Sequence, residues 1–470
     1  MLKKINKETL LYIFILLNPL FDLLSSLYVR LGFPFTPSTF LRPIIPFVLL
    51  MIIIITDRAV RKKILLLMTI YVTYAVAHIT LYYNLITGIS YGTVAHELQY
   101  LINYTYLIFT LITFIYVFYK KKNLLINMAL YNFAVYLGTI YLAIITGTSL
   151  TSYIEGTGYK GWFSTSGAVG TILILSSFVL ISYILEKNIK FIFKLGFVFI
   201  PLFYLCFLLG SRVGLYGTVL VLGSYLFASF IYFIFNFKKF NFLKQVFPIL
   251  ICLILLTLYF FAFGSYTLNR RNDLNNIKDE DKHIAYDLID IKNEVDTKTG
   301  NTGNGVPIIN TNYISIEQTK ALNSLYKYAN ETDLANVDLR KQQLIYHTYL
   351  YQYQDNVLLK LFGNGYLANF GALTLEMELI ALFYNFGLIG FILYFGPFLA
   401  IFSYGVFFGL KNIKKIDIEY MMYLAGIGLS YFISFLAGHV YFNTSIMPII
   451  IIIHLLLLNK IYTIKKEGVK

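Results

Sequence analysis

The chain has 470 residues, of which 58% are hydrophobic, 18% aromatic and only 13% charged, and its formal net charge is +14. With a mean hydropathy of +0.68, it has too little polar surface to cover a soluble core of this length, which excludes a soluble enzyme. A nucleic-acid surface is excluded as well, since it would gather its basic residues on one domain among interleaved aromatics.

Taken in chain order, apolar runs near the ~20 residues that span hydrocarbon begin at about 10–29, 38–56, 64–83 and 97–118. They continue at about 124–145, 167–185, 191–209, 212–235 and 246–263. The last three lie at about 379–408, 419–438 and 442–459. Twelve spans are therefore predicted. The first follows Lys3, Lys4 and Lys7 but has no small-residue cleavage site before Arg30, so it reads as a retained signal anchor.

Lysine and arginine test this count, because they gather on the cytoplasmic side of short loops. Outside the segment between spans nine and ten there are 27 basic residues, and 23 of them fall in alternate connections and the two ends. The other four are Arg30, Arg42, Lys160 and Arg212. A one-span error would destroy that alternation. Both termini are therefore expected in the cytoplasm, and the charge of +14 describes a lipid-facing cytoplasmic rim.

The chain divides into spans one to nine (1–263), a large extracytoplasmic loop (264–377), and spans ten to twelve with a cytoplasmic tail (378–470). The loop holds fourteen acidic against eleven basic residues. Its first part, Arg270 to Lys298, reads as charged helix, and Thr299 to Gly305 as a flexible linker. Glu317 to Asn330 and Asp338 to Leu361 follow as helices. In the second, Leu339, Tyr346, Leu350, Tyr353, Val357 and Leu361 form one apolar face, suited to lying on the membrane, capping a cavity or packing on the loop's own core. Cys206 and Cys252 both fall in spans, so the loop folds without disulfides. No CxxC, HExxH, P-loop, dinucleotide fingerprint or GxSxG pattern occurs, and no metal or cofactor site is indicated.

Four elements are candidates for chemistry. Gly210-Ser211-Arg212 opens span eight, where an arginine either snorkels as an anchor or binds a phosphate with its planar fork. Arg340 lies early in the amphipathic loop helix, as solvated surface or as a second cation. Phe362-Gly363-Asn364-Gly365 is a tight turn, either a helix stop or a place where backbone approaches a ligand or a buried helix closely. Glu376-Met377-Glu378 precedes span ten, where carboxylates cap the helix N-terminus or do chemistry. Beyond it, Gly387 and Gly390 suit close helix packing.

In this order the four elements resemble the O-antigen ligase and Wzy-type polysaccharide polymerase superfamily, membrane glycosyltransferases of the GT-C type. The resemblance covers the architecture and is specific at Gly210 to Arg212 and from Arg340 to Gly390. In the ligases a histidine stands eleven residues before the first glycine of Gly-x-x-Gly; here that position is Glu376, which resembles the acidic variant of Gram-positive relatives. Asn18, Pro19 and Asp22 are similar to a further Pro-x-x-Asp element.

The resemblance implies an all-α polytopic membrane protein that transfers a glycan from an undecaprenyl-diphosphate carrier to an acceptor hydroxyl, without metal or cofactor. Glu376 is then the base, with Glu378 the competing candidate. Arg212 and Arg340 stabilise the leaving diphosphate, and Gly363 and Gly365 let backbone approach the substrate. Implied partners are the lipid-linked donor and acceptor, a flippase and a chain-length regulator. Polymerisation of repeat units is favoured, and ligation of finished glycan to another acceptor is the first alternative. A twelve-span transporter of lipid-linked sugar is the second, kept open by Asp22 and His78 inside spans.

Overall fold

The computed structural model describes residues 6–33, 37–81, 94–153, 157–269, 344, 347–348, 351, 357–365, 375, 377–436, 438 and 440–467. The expectations placed on Arg270 to Lys298, Thr299 to Gly305, Glu317 to Asn330, Arg340 and Glu376 fall outside the described residues.

The chain is an all-α membrane bundle. Its helices are α1 (Lys7–Arg30), α2 (Pro37–Thr56), α3 (Arg58–Leu81), α4 (Val94–Phe118) and α5 (Lys122–Ile145). A two-stranded hairpin, β1 (Leu150–Thr151) with β2 (Tyr159–Gly161), interrupts the pattern. Then come α6 (Ser166–Glu186), α7 (Phe191–Phe203), α8 (Arg212–Asn236), the single turn α9 (Phe242–Gln245) and α10 (Phe247–Phe263). The final elements are α11 (Val357–Phe362), α12 (Glu378–Lys411), α13 (Ile418–Leu436) and α14 (Met447–Glu467). Ten helices are long and apolar enough to cross a membrane, and two shorter ones, Leu41–Thr56 and Phe247–Phe263, complete the twelve apolar runs of the sequence.

Hydropathy does not distinguish inner from outer helices, but packing does. Helix α6 is buried on nearly every side by α5, α7, α8 and α13, and α14 is the second inner helix. A helix apolar all round belongs in such a position. Two of its serines cost little, because Ser177 and Ser182 Oγ donate to the carbonyls of Leu173 and Phe178, one turn back, at 2.7 and 2.8 Å. Outward, large apolar residues such as Ile145, Phe261, Phe263 and Leu410 are exposed, a surface that only lipid covers without cost.

The two ends of the bundle differ in chemistry. At the end that carries the short basic connections, Glu419 is buried between Lys122 and Lys460, the latter at 2.5 Å, and Lys460 also pairs with Asp417. This network joins α5, α13 and α14. The other end receives the long segment 264–377 and is called the loop side below.

There the helices depart from simple spans. Helix α14 begins at Met447, later than the apolar run suggests, because residues 440–446 form an irregular connection. Helix α12 reaches 34 residues because two helices meet across a break at Gly387, where φ is 66° and ψ is −174°.

Removing Glu419 leaves Lys122 without this partner and Lys460 with Asp417 alone. Breaking a buried pair from one side costs ~3–5 kcal/mol, and retention of Asp417 places Glu419→Ala at or below the lower end. A lower apparent melting temperature in nanodiscs is the expected result, with an exposed Glu467→Ala change as the neutral control.

Candidate functional site on the loop side

A helix that breaks inside a membrane strands carbonyls that have no water to turn to. At Gly387 the stranded groups are met by the turn that ends the large loop. The Asn364 N–H donates to the Tyr384 carbonyl and the Gly365 N–H to the Asn385 carbonyl, both at 2.9 Å. Tyr74 of α3 donates from Oη to the Phe386 carbonyl at 2.7 Å.

This docking dictates the glycines. A Cβ on Gly363, at φ 90°, would fall onto the Asn385 carbonyl, and one on Gly387 would lie 2.5 Å from the Gly363 nitrogen. A Cβ on Gly390 would meet the Tyr74 hydroxyl. The Gly-x-Gly turn and the Gly-x-x-Gly of α12 are thus two halves of one contact, as a close approach of backbone to a buried helix requires.

A buried pair holds the turn from the other side. His78 Nε2 lies 2.6 Å from Glu97 Oε1, and both side chains are essentially inaccessible. His78 Nδ1 lies 2.6 Å from the Phe362 carbonyl, which can only accept, so Nδ1 carries a proton there. Tyr74 stacks against Phe362 on one side and His78 on the other. Further into the loop, Thr348 hydrogen-bonds Tyr384 Oη at 2.9 Å, and the buried His347 stacks on the Tyr384 ring. Sequence reasoning missed Tyr74, Glu97 and His347, since no local pattern in the chain announces partners that sit on other elements.

Glu378 is the first residue of α12 and is completely buried. Its Oε2 accepts from Ser434 Oγ at 2.6 Å and from the backbone N–H groups of Val440 and Tyr441 at 2.6 and 2.8 Å. Its Oε1 accepts from the Phe442 N–H and, at 3.3 Å, from Tyr104 Oη. Five donors thus converge on one carboxylate, which caps the connection 440–442 instead of its own helix. Glu376 stands two residues earlier and lies outside the described residues, as does Arg340.

The far end of the same connection is held by a second, partly buried acid. Asp22 Oδ1 of α1 pairs with Arg42 Nη2 of α2 at 2.6 Å and accepts from Ser445 Oγ at 2.6 Å, while Oδ2 accepts from Tyr136. Arg42 also donates to Ser445 Oγ, to Thr444 Oγ1 and to the Asn18 carbonyl. The Pro-x-x-Asp element is therefore one half of an ion pair, and Asp22 and His78 are both fully engaged.

Arg212 differs from all of these. It opens α8 beneath a turn that is held rigidly: α7 runs into a π-turn over Tyr204–Leu208, and Ser152 Oγ donates to the Leu209 carbonyl at 2.6 Å. Gly210, at φ 77°, passes against Gly158 of the hairpin, and Ser211 Oγ accepts from the Gly214 N–H at 3.1 Å. The Arg212 side chain is exposed and, among the described residues, has no ion-pair partner. It is a fixed cation at a helix N-terminus, where an anion is also favoured by the helix dipole.

The structure thus brings Gly363, Gly365 and Glu378 to the loop side, together with Arg212. Among the described residues, one group could hold a metal by spacing, Glu186, Asp417 and Glu419 at the opposite end. Lys122 and Lys460 already answer its charge.

In a comparison with known families, the model for O-antigen ligase like membrane proteins matches residues 4–463. Comparisons with curated proteins and with solved structures return no match.

Two outcomes follow. Gly363→Ala and Gly387→Ala each force a contact worth about 1–3 kcal/mol on top of a disfavoured positive φ, so both lower the melting temperature, whereas Gly138→Ala, which meets nothing within 4 Å, does not. Glu378→Gln places an amide N–H₂ among donors, stranding at least one of them at about 1–3 kcal/mol; an unchanged melting curve would contradict its capping role.

Proposed function

This chain belongs to the O-antigen ligase like membrane protein family, and from that membership and the loop-side geometry we propose that it is a membrane glycosyltransferase. It moves a glycan from an undecaprenyl-diphosphate carrier to an acceptor hydroxyl, joining lipid-linked repeat units into a surface polysaccharide. The observation that carries this reading is Arg212: an exposed cation without an ion-pair partner among the described residues, opening a helix behind a rigid turn on the side where the Gly363–Gly365 turn docks.

The chemistry asks for two things. As the acceptor oxygen bonds to the anomeric carbon, the bond from that carbon to the diphosphate breaks and negative charge builds on the leaving oxygen. Arg212, with Arg340 from the loop, stabilises that charge in a partly dry site. A base must also take the acceptor's proton, and Glu376 has that role. Glu378 is the weaker choice, because five donors already occupy its oxygens; it fixes the backbone of the 440–442 connection. Gly363 and Gly365 serve by docking the loop's end onto α12. The diphosphate bond supplies the driving force, so the residues assigned here need neither a metal nor a nucleotide.

The distribution of 23 of 27 basic residues supports cytoplasmic termini and a loop on the outer face. Pairing of Asp22 with Arg42 and of His78 with Glu97 supports transfer over transport, since neither acid is open to a moving substrate.

The test is transfer in nanodiscs with lipid-linked repeat units of the host, products resolved by size. The native chain should give a ladder of lengths. Arg212→Ala should lose about 10²–10³-fold in rate and Glu376→Gln about 10²–10⁴-fold, with Glu467→Gln unchanged. Single transfer to an added acceptor instead of a ladder would replace polymerisation by ligation, and full activity in both site variants would remove the assignment.

A further inference from the structure

Cations are scarce on the loop side, and two of the four that the spans and short loops place there come together at the hairpin. Arg30, in the last turn of α1, donates from Nη2 to the Trp162 carbonyl at 3.0 Å and, at the limit of contact, to Ser26 Oγ. Lys160 sits in β2, two residues before Trp162. Burial, and then the charge of Arg30, pulls the Lys160 pKa below the ordinary lysine value. Two cations held near one another are costly unless something negative joins them.

Nothing described does. Arg42 is spent on Asp22, but neither Arg30 nor Lys160 has a carboxylate partner among the described residues. Glu155, the nearest acid in sequence, lies outside them. Only Nη2 of Arg30 is engaged, which leaves the rest of its donor fork for a ligand. Beside them is Trp162, whose carbonyl accepts from Arg30 and whose indole N–H donates to Thr148 Oγ1 at 2.9 Å, a side chain suited to the headgroup level of a bilayer.

We propose that Arg30 and Lys160, brought together at Trp162 by the hairpin, form a binding site for the phosphate of a membrane lipid, occupied by the diphosphate of a polyprenyl-linked glycan. The site rests on the geometry of the hairpin. Its occupant rests on the transfer reading above.

Trp162 is the chain's single tryptophan, so the site reports on itself. The full-length protein is placed in phosphatidylcholine nanodiscs and excited at the red edge of tryptophan absorption, where the 41 tyrosines stay silent. Added undecaprenyl diphosphate should shift the emission saturably. Lys160→Gln, which leaves the Arg30–Trp162 bond in place, should weaken the apparent affinity about tenfold, the worth of one charge-assisted hydrogen bond. Arg30→Gln with Lys160→Gln should abolish the shift while the melting temperature holds.

An equal response to phosphatidylglycerol would assign the site to ordinary lipid headgroups and overturn the carrier assignment. No response to either lipid, or an unaltered response in the double variant, would overturn the site. Transfer with a silent Trp162 would remove this site and leave the transferase reading standing; a responding Trp162 without transfer would do the reverse.

Discussion

Backbone that leaves helical geometry at membrane depth must find every hydrogen bond inside the protein, because hydrocarbon supplies none. Two stretches here make that demand: the break at Gly387 in α12 and the connection 440–446 before α14. Much of the loop-side chemistry is the answer to it. The Gly363–Gly365 turn and Tyr74 satisfy the break, Glu378 satisfies the start of the connection, and the Asp22–Arg42 pair holds its end. These groups share one layer of the bundle, and each steadies the next.

That layer explains why so many polar residues are tolerated among apolar spans. A lone carboxylate in hydrocarbon is costly, yet one that accepts five hydrogen bonds has its polar atoms satisfied and fixes the positions of its donors. Tyr104 joins Glu378 to the aromatic cluster of Phe386, Tyr394 and Phe442. Tyr74 joins the same cluster to His78. Rigidity here is also what a transfer site needs, since reacting groups misplaced by an ångström lose most of their effect.

The spans were legible in the sequence because hydropathy and length alone identify helices in lipid, and each of the twelve apolar runs contains a helix. The docking of the Gly-x-Gly turn was legible in part: the glycines announced a close approach, but not that Gly387 would be its other half. The role of Glu378 was not, since Glu376 and Glu378 look alike in a linear chain and only the fold aims three backbone N–H groups at the second. Tyr74 and Glu97 were hidden for a similar reason. Their partners at 362, 386 and 78 share no local pattern with them, and a tyrosine among 41 carries no signal by itself.

The spacing of the buried ion pairs bears on how this chain enters a membrane. Asp22 and Arg42 stand on successive helices, twenty residues apart, and so do His78 and Glu97, nineteen apart. Each acid therefore meets its side-chain partner as soon as one helical hairpin has formed, before any of the later chain exists. Glu378 finds its backbone donors on the connection that follows the very next helix. A chain delivered to the bilayer from its N-terminus can thus bury its polar side chains as partnered pairs, with Ser445 and the Phe362 carbonyl arriving afterwards to complete their hydrogen bonds.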